Sequence, residues 1–327
     1  MEIKFLKCHG TGNDFVLIDE ISHKYSFTEE QRIELAKELC RRDGIIGADG
    51  ILFVQESAVC DAKMRIFNSD GSEPEMCGNG LRCVARYAAE LLHKDSFRVE
   101  TMKSSYAVRR MPDIYEGVKS VGVELESISF KLQDMPMVYA GKSELFMEPV
   151  AELDESLKFS AVSMTNPHIV AIVEDIDIEQ LTRVGLKANN SREILPRGIN
   201  VNFIKILGRG MIYVKTFERG VGLTKSCGTG MISSSITLCR YDASLLGEEI
   251  MVYNDGGMIK CTVHLGDGGD RVTMAGNATH EYRAELEFDF DKSRGALKGP
   301  KEFYNDEAQA YGNFLEYTRK IVDNSAK

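Results

Sequence analysis

The stretch DGSEPEMCGNGLRC at residues 70–83 places a cysteine directly before a Gly-Asn-Gly turn, and an amphipathic run follows it. A closely similar stretch, GVGLTKSCGTGMIS, occurs at residues 220–233. Cys77 and Cys227 would each stand at the start of a predicted helix. One chain therefore contains the same cysteine-containing turn twice.

Three pairs of segments recur in the same order along the chain, at an offset of about 150 residues. In the pair that contains the two cysteines, Phe67 and Phe217 each precede the cysteine by ten residues. Three matches in one order predict two homologous halves, each with a long helix entered through a Cys-Gly-x-Gly turn. The matched segments are 12–19 with 165–175, 48–54 with 198–206, and 67–80 with 217–230.

The composition is that of a globular protein with two domains: 327 residues, 43% hydrophobic and 28% charged, with a net charge of −10. The charge is spread along the chain, which argues against a nucleic-acid partner. No apolar run reaches the length of a membrane span. The N-terminus lacks a signal-peptide pattern, and the eight cysteines show no zinc-site spacing. We therefore expect free thiols in a cytoplasmic protein, with no metal and no membrane contact.

Strand-like runs rich in β-branched and aromatic residues dominate the pattern, with turn residues between them. Four stretches carry apolar residues at helical spacing, and the first begins with a capping box at Thr28 and Gln31. Many strands and few helices predict an α+β fold. The predicted strands are 15–20, 50–54, 63–67, 97–101, 120–125, 168–175, 201–207, 211–217 and 261–265, and the predicted helices are 28–42, 79–94, 229–245 and 302–322.

A cysteine at a helix N-terminus can supply a reactive thiolate. The first N–H groups of a helix have no partner within it, and the helix dipole is positive there. This environment lowers the pKa of a thiol, and the same N–H groups can bind a carboxylate or phosphate. The glycines of the two turns would let such a ligand approach the backbone. Each half thus provides one activatable thiol and part of an anion site.

Two equivalent acid/base groups suit the inversion of a carbon stereocentre. One thiolate would remove the α-proton of an amino acid, and the other thiol would deliver a proton to the opposite face. The two thiols must be in opposite protonation states, so their titrations are coupled. The chain shows no evident pyridoxal-phosphate lysine motif, and we expect no cofactor.

The chain resembles the diaminopimelate epimerases, in a longer subtype with a C-terminal extension, over roughly residues 3–280. The motifs that carry the resemblance are HGTGNDF (9–15), IFNSDGSEPEMCGNGLRC (66–83), NPH (166–168), GINVNF (198–203), FERG (217–220) and SCGTG (226–230). The resemblance implies two pseudo-symmetric domains, each a strand-rich barrel-like layer around a central helix. The domains would span 1–127 plus about 277–327, and 128–276. The implied reaction interconverts LL- and meso-diaminopimelate without a cofactor, in lysine and peptidoglycan-precursor synthesis.

The resemblance also implies roles for individual residues. Cys77 and Cys227 would be the acid/base pair, with His168 and Glu218 near the reaction centre. Arg219 would pair with the distal carboxylate, for which a planar guanidinium is suited. The reacting carboxylate would be bound by Gly78, Asn79, Gly228 and Thr229, and further polar substrate ligands would be Asn13, Asn68, Asn166 and Asn200.

Other functions remain open at this stage. Some relatives keep both cysteines and racemise a single-centre amino acid such as histidine; a distal pocket with Asn68, Asn200 and Arg219 favours a substrate with a second carboxylate. A thiol redox protein and a non-catalytic amino-acid-binding protein are more distant alternatives. The glycine turns lack the third glycine of a dinucleotide site.

The remaining features suggest structural roles. The tail helix would be a packing element, a contact in a possible homodimer, or a solvated surface helix. Leu223 stands where members of the family often carry a glutamate. The six other cysteines are interpreted as core residues: Cys8, Cys40, Cys60, Cys83, Cys239 and Cys261.

Overall fold

The computed structural model describes residues 1–164, 166–266 and 268–325. Thr165, the first residue of one matched segment, lies outside the described residues. The chain divides into two compact units: Met1–Val123 with Ala275–Glu316, and Glu124–Met274 with the segment from Tyr317 onward. The sequence-based boundaries assign all of the tail to the first domain, whereas this division assigns its last part to the second unit.

The chain forms eighteen strands and five α-helices within the described residues. The strands are β1 (Glu2–Gly10), β2 (Asn13–Asp19), β3 (Gly50–Gln55), β4 (Ala62–Asn68), β5 (Ser96–Glu100), β6 (Ser105–Tyr115), β7 (Val118–Leu125), β8 (Glu148–Val150), β9 (Asp154–Ser163), β10 (Pro167–Val173), β11 (Asn200–Gly208), β12 (Met211–Glu218), β13 (Gly222–Thr224), β14 (Glu249–Asn254), β15 (Gly257–His264), β16 (Arg271–Asn277), β17 (Thr279–Asp289) and β18 (Arg294–Phe303). The helices are α1 (Glu29–Leu39), α2 (Gly78–Leu92), α3 (Ile178–Asn190), α4 (Gly228–Tyr241) and α5 (Asn305–Asn324).

In the first unit, one mixed sheet surrounds helix α2. The strands pair in the order β18, β17, β1, β2, β3, β4, β5, β6, β7, with parallel pairs at β2–β3 and β4–β5. Helix α2 contacts every strand from β1 to β6. Helix α1 packs on the outer side, where Leu35 and Leu39 join Val16, Ile18 and other side chains in one core cluster. Strands β2 and β3 are therefore buried on both faces, which explains their nearly continuous apolar runs.

The second unit repeats this topology around helix α4. Its strands pair in the order β8, β9, β10, β11, β12, β14, β15, with parallel pairs at β10–β11 and β12–β14, and β13 forms a hairpin with β12. Helix α4 contacts β9 to β12, β14 and β15, while α3 packs outside through Leu181, Val184 and Ala188. The α+β prediction and the central helix in each unit are confirmed.

Four predicted helices are present, and one helix was not predicted. The Thr28–Gln31 capping box is confirmed at α1. The tail helix begins at Asn305 rather than 302, because Glu302 belongs to β18. Helix α3 was missed, since its Thr, Val, Gly and Asn residues weaken the helical pattern. The start of α3 is indicated by its capping residue, Asp177, which lies almost 150 residues after Thr28, the cap of α1.

The first part of the tail helix packs within the first unit. Glu307 accepts two hydrogen bonds from Arg86, at 2.6 and 2.7 Å. The Tyr311 ring lies 4.3 Å from the His9 ring, and Phe314 is fully buried. This part of α5 is therefore a packing element rather than a solvated surface helix.

The eight cysteines all fall within the described residues and are free thiols. The prediction of core positions is confirmed for Cys8, Cys40, Cys83, Cys239 and Cys261. It is wrong for Cys60, which is only partly buried because it lies in the turn between β3 and β4, where its N–H donates to Ser57. Within the described part of the chain, no helix has the length and apolar character to cross a membrane.

Candidate active site

The Cys77 side chain caps helix α2. Its sulfur accepts a hydrogen bond from the Gly80 N–H at 3.5 Å, as a serine or asparagine oxygen does at other helix N-termini. The cysteine adopts an extended conformation, and the helix begins at Gly78. A Cβ atom on Gly80 would lie 2.9 Å from Leu52 Cδ2, so the turn packs tightly on β3. The predicted thiol at the helix N-terminus is therefore present in the first unit.

The Cys77 sulfur also lies beside the amide of Asn13. Asn13 donates through Nδ2 to Asp49 at 2.7 Å, which directs Asn13 Oδ1 toward the turn. That oxygen accepts from Asn79 Nδ2 at 3.2 Å and from the Cys77 thiol at 3.7 Å. Three predicted site residues, Asn13, Cys77 and Asn79, thus lie in contact. Asn68 donates to the Ser72 hydroxyl at the exposed end of β4.

A buried arginine supports the first turn from within α2. The Arg82 side chain is fully buried and donates to Asn79 Oδ1 at 2.9 Å and to Thr11 Oγ1 at 2.6 Å. Its Nε donates to the Asn277 carbonyl at 3.0 Å. Arg82 was not among the predicted site residues. The available signal was a basic residue on the buried stretch of an amphipathic helix, where a charge requires partners.

The Cys227 side chain caps helix α4 in the same way. Its sulfur accepts from the Gly230 N–H at 3.4 Å and lies 3.6 Å from Thr229 Oγ1. Burial and the Glu218 carboxylate hold the pKa of the Cys227 thiol well above its usual range. Hydrogen bonds from Thr229 and the Gly230 N–H act in the opposite direction. The local environment therefore contains groups that favour each protonation state.

Glu218 is held at the end of β12 by the adjacent hairpin. Its Oε1 accepts from the Thr224 hydroxyl at 2.6 Å. Strand β13 pairs with β12 through Thr224, Leu223 and Gly222, and the Leu223 side chain is exposed. Leucine in place of the usual glutamate leaves the pairing of this hairpin intact.

His168 lies fully buried on β10, next to the second thiol turn. Its Nε2 is 3.0 Å from Thr229 Oγ1 and 3.1 Å from Asn166 Oδ1. Burial and the positive charge of Arg219 lower the pKa of His168 to about 3. The imidazole is therefore neutral near pH 7. The structure thus brings Asn166, His168 and Thr229 together with Cys227.

Asn200 and Arg219 form a separate contact at the ends of β11 and β12. Asn200 Oδ1 accepts from the Arg219 backbone N–H at 2.9 Å, and Asn200 Nδ2 donates to the Pro167 carbonyl at 3.1 Å. Both ends of the Asn200 amide thus bond to backbone. The Arg219 side chain is exposed and donates to the Arg197 carbonyl at 3.1 Å. Asn200 positions this corner, and the guanidinium is accessible to a ligand.

Several solved structures share this fold, among them a PhzF-family protein and a hydroxyproline epimerase. A PhzF-family phenazine biosynthesis protein from Bacillus anthracis aligns with a TM-score of 0.65 at 17% identity, over 88% of this chain and 100% of that one. A hydroxyproline epimerase from Agrobacterium vitis, solved with bound trans-4-hydroxy-L-proline, aligns with a TM-score of 0.58 at 14% identity, over 88% and 92%. At these identities, the similarity shows the fold alone.

The chain belongs to the diaminopimelate epimerase family. The family model described as diaminopimelate epimerase matches residues 5–112 and 160–281. A diaminopimelate epimerase from Clostridium acetobutylicum is 49% identical over 321 residues, which cover 98% of this chain and 96% of that protein. A diaminopimelate epimerase from Enterococcus faecalis is 40% identical, over 97% and 98%. The resemblance given by the sequence motifs is confirmed.

Proposed function

We propose that this protein interconverts LL- and meso-diaminopimelate without a cofactor, in lysine and peptidoglycan-precursor synthesis. The observation that carries the proposal is that each unit caps its central helix with a cysteine thiol, Cys77 or Cys227. Membership of the diaminopimelate epimerase family supports the choice of reaction.

The proposed mechanism uses the two thiols as an acid/base pair. One sulfur, as thiolate, takes the α-proton and becomes a thiol. The other thiol gives its proton to the opposite face of the same carbon and becomes a thiolate, so the charge of the pair is conserved. The carbanion character that develops is stabilised at the substrate carboxylate by N–H groups of the helix N-termini. Gly78, Asn79, Gly228 and Thr229 would supply these contacts.

Arg219 would distinguish diaminopimelate from an amino acid with one carboxylate. Its exposed guanidinium can form a bidentate contact with a distal carboxylate. Asn68 and Asn166, which lie at the ends of β4 and β10, would complete the polar contacts to the substrate.

Exchange of the α-proton in D2O tests this proposal directly. LL-diaminopimelate and L-histidine are incubated separately with reduced protein and no added cofactor. Deuterium uptake with meso product from diaminopimelate alone is expected. Exchange with histidine alone would retain the thiol chemistry and overturn the substrate, and no exchange with either would overturn the proposed function.

Substitution of Arg219 tests the distal contact. Arg219→Ala is expected to raise KM for diaminopimelate by about a hundred-fold, because a charge-assisted contact is lost. Arg209→Ala is the matched control, since Arg209 is an exposed arginine that pairs with Glu248 elsewhere. Unchanged kinetics in Arg219→Ala would remove Arg219 from the site.

Three further expectations belong to this proposal. The two units would be homologous halves, as their common order of elements suggests. Free thiols suit a reducing compartment, which supports a cytoplasmic location. The homodimer stays a prediction, to be checked by sedimentation of the full chain.

A further inference from the structure

A directional chain of hydrogen bonds lies under the second thiol turn. The Thr216 hydroxyl donates to Asn202 Oδ1 at 2.8 Å, and Asn202 Nδ2 lies 3.1 Å from His168 Nδ1. Asn202 and His168 are fully buried, and Thr216 nearly so. Neither Asn202 nor Thr216 was among the predicted site residues, although Asn202 lies within the GINVNF motif. Buried polar side chains at this depth are costly unless they are fully paired.

The orientation of the Asn202 amide follows from its other partners. Its Nδ2 also lies 3.1 Å from the Ile169 carbonyl oxygen, which can only accept. The NH2 group must therefore face His168 and Ile169, and the oxygen must face the Thr216 hydroxyl. Asn202 consequently donates to His168 Nδ1, which leaves Nδ1 without a proton.

This bond determines which nitrogen of His168 carries the hydrogen. A neutral imidazole with an unprotonated Nδ1 carries its hydrogen on Nε2. That N–H points at Thr229 Oγ1 and Asn166 Oδ1. When Thr229 Oγ1 accepts from His168, its own hydrogen is available to the Cys227 sulfur, 3.6 Å away.

We propose that Asn202 and Thr216 are positioning residues that fix His168 as the Nε2–H tautomer, so that the Thr229 hydroxyl donates to Cys227 and stabilises its thiolate. The proposal rests on the proposed function, in which Cys227 must alternate between thiol and thiolate. Neither Asn202 nor Thr216 touches the reacting atoms; both act through His168 and Thr229.

The charged and titratable groups around Cys227 make such a donor necessary. Glu218 on β12 and burial both disfavour the thiolate. His168 on β10 is neutral and supplies no positive charge, and the positive charge of Arg219 helps to lower the pKa of His168. The Gly230 N–H and the Thr229 hydroxyl are the donors that oppose Glu218. The helix fixes the hydrogen bond from the Gly230 N–H. The hydrogen-bond chain through Asn202 and His168 therefore controls only the direction in which the Thr229 hydroxyl donates.

Close packing under α4 reinforces this interpretation. A Cβ atom on Gly230 would lie 2.4 Å from Asn202 Oδ1 and 2.9 Å from Thr216 Oγ1. Because Gly230 has no side chain, Asn202 and Thr216 can pack directly beneath the helix N-terminus. At the corresponding place in the first unit, the neighbour of Gly80 is the apolar Leu52.

The tautomer of His168 is tested first, by 15N NMR of histidine-labelled protein at neutral pH. A neutral ring protonated at Nε2 is expected for His168. Protonation at Nδ1 would overturn the proposal. This measurement needs no substrate, so it remains decisive if diaminopimelate turnover fails and the proposed function is wrong.

Kinetics of three variants test the coupling to Cys227. Asn202→Leu is expected to lower kcat about 30-fold and Thr216→Val about ten-fold, with KM within about three-fold, because a hydrogen bond to a charged group is weakened. The acidic limb of the pH profile of kcat/KM is expected to move to higher pH in both. Thr216→Ser keeps the hydroxyl and is expected to retain activity within about two-fold.

A matched control separates positioning from burial. Thr237 is a buried threonine whose hydroxyl donates only to the Ser233 carbonyl within α4 among the bonds described. Thr237→Val should therefore leave both kcat and the pH profile unchanged. A folded Thr216→Val protein with wild-type kcat and an unshifted acidic limb would overturn the proposal, even if Asn202→Leu does not fold.

Discussion

The two thiol turns share one backbone design and differ in what lies beneath them. In each turn a cysteine sulfur accepts from the N–H three residues later, at 3.5 Å for Cys77 and 3.4 Å for Cys227. Under α2 the helix N-terminus rests on Leu52, Ile66 and Phe15. Under α4 the corresponding space holds Asn202 and Thr216, with His168 beside them. The two turns thus have the same cap and differ in the side chains that surround it.

This difference gives the two thiols opposite hydrogen-bonding surroundings. Cys77 faces an acceptor, Asn13 Oδ1, to which its thiol donates at 3.7 Å. Cys227 faces the Thr229 hydroxyl, which can donate and so favour the thiolate. The same backbone cap thus lies beside different polar side chains in the two units.

The largest expected effect comes from removing either sulfur. Cys77→Ser and Cys227→Ser should each lower epimerisation by at least about 1000-fold, since both acid/base steps are needed. Serine is itself a good N-cap, so the far-UV circular dichroism and the unfolding midpoint should change little. Either variant with turnover within ten-fold of wild type would contradict the paired-thiol mechanism.

Substitution by methionine at the same position of each central helix would compare how much Arg82 and Ile232 contribute to stability. Arg82→Met removes the donors to Asn79, Thr11 and the Asn277 carbonyl, and should lower the free energy of unfolding by about 3 kcal/mol. Ile232→Met, at the equivalent position in α4, is a volume-conserving change that should cost about 1 kcal/mol. Urea unfolding followed by circular dichroism measures both, and equal losses would show that Arg82 is not specially needed.

The pH dependence of stability should reveal buried neutral histidines in both units: His168 in the second, and His9 and His280 in the first. Burial is the main cause that lowers the pKa of His168 to about 3 and that of His9 to about 4. In the unfolded chain, both histidines take up a proton as the pH falls through about 6.5, whereas in the folded protein they stay neutral to lower pH. Their contribution to the free energy of unfolding is therefore complete above pH 6.5 and is lost as the pH falls toward 4. Between pH 7 and 5, each should account for a loss of about 2 kcal/mol.

Glutamine substitutions separate these two contributions to the pH dependence. His168→Gln and His9→Gln should each flatten the dependence of the urea midpoint on pH by a similar amount. A slope that stays at the wild-type value in both variants would contradict the assignment of neutral histidines.

The smallest expected difference concerns the glycines under the two turns. A Cβ on Gly230 would approach the hydrogen-bonded Asn202 Oδ1 to 2.4 Å, whereas one on Gly80 would approach the end of the Leu52 side chain at 2.9 Å. Leucine can rotate away more readily than a paired amide. Gly230→Ala should therefore cost about 2 kcal/mol and Gly80→Ala about 1 kcal/mol, measured by urea unfolding. The reverse order would show that the polar pair is the more adaptable.

The repeat, the α+β class and the thiol turns could be predicted from the sequence because each depends on local patterns. Strand runs, the Thr28 capping box and the two Cys-Gly-x-Gly turns are each visible within about fifteen residues. Helix α3 was missed because its Thr, Val, Gly and Asn residues weaken the helical pattern, although Asp177 caps it almost 150 residues after Thr28 caps α1.

The supports of the site could not be derived in the same way. Arg82, Asn202 and Thr216 act through partners far along the chain, such as Asn277 and His168. Which strand residue lies beneath a helix turn depends on register and packing, which local patterns do not specify. Asn200 stays a predicted substrate ligand, and the sequence did not reveal that both ends of its amide also bond to backbone.

The use of a reactive sulfur as a helix cap has a consequence for oxidative damage. Oxidation of the partly buried Cys77 to a sulfinic acid would remove an acid/base group of the proposed mechanism and replace a neutral cap with an anion, which a helix N-terminus binds well. The damaged protein would remain folded and hold its helix firmly. Because the proposed reaction needs both sulfurs intact, the active fraction would fall with the surviving fraction of the Cys77 thiol. Oxidation would thus yield inactive molecules that stay folded, rather than unfolded ones that quality control can remove.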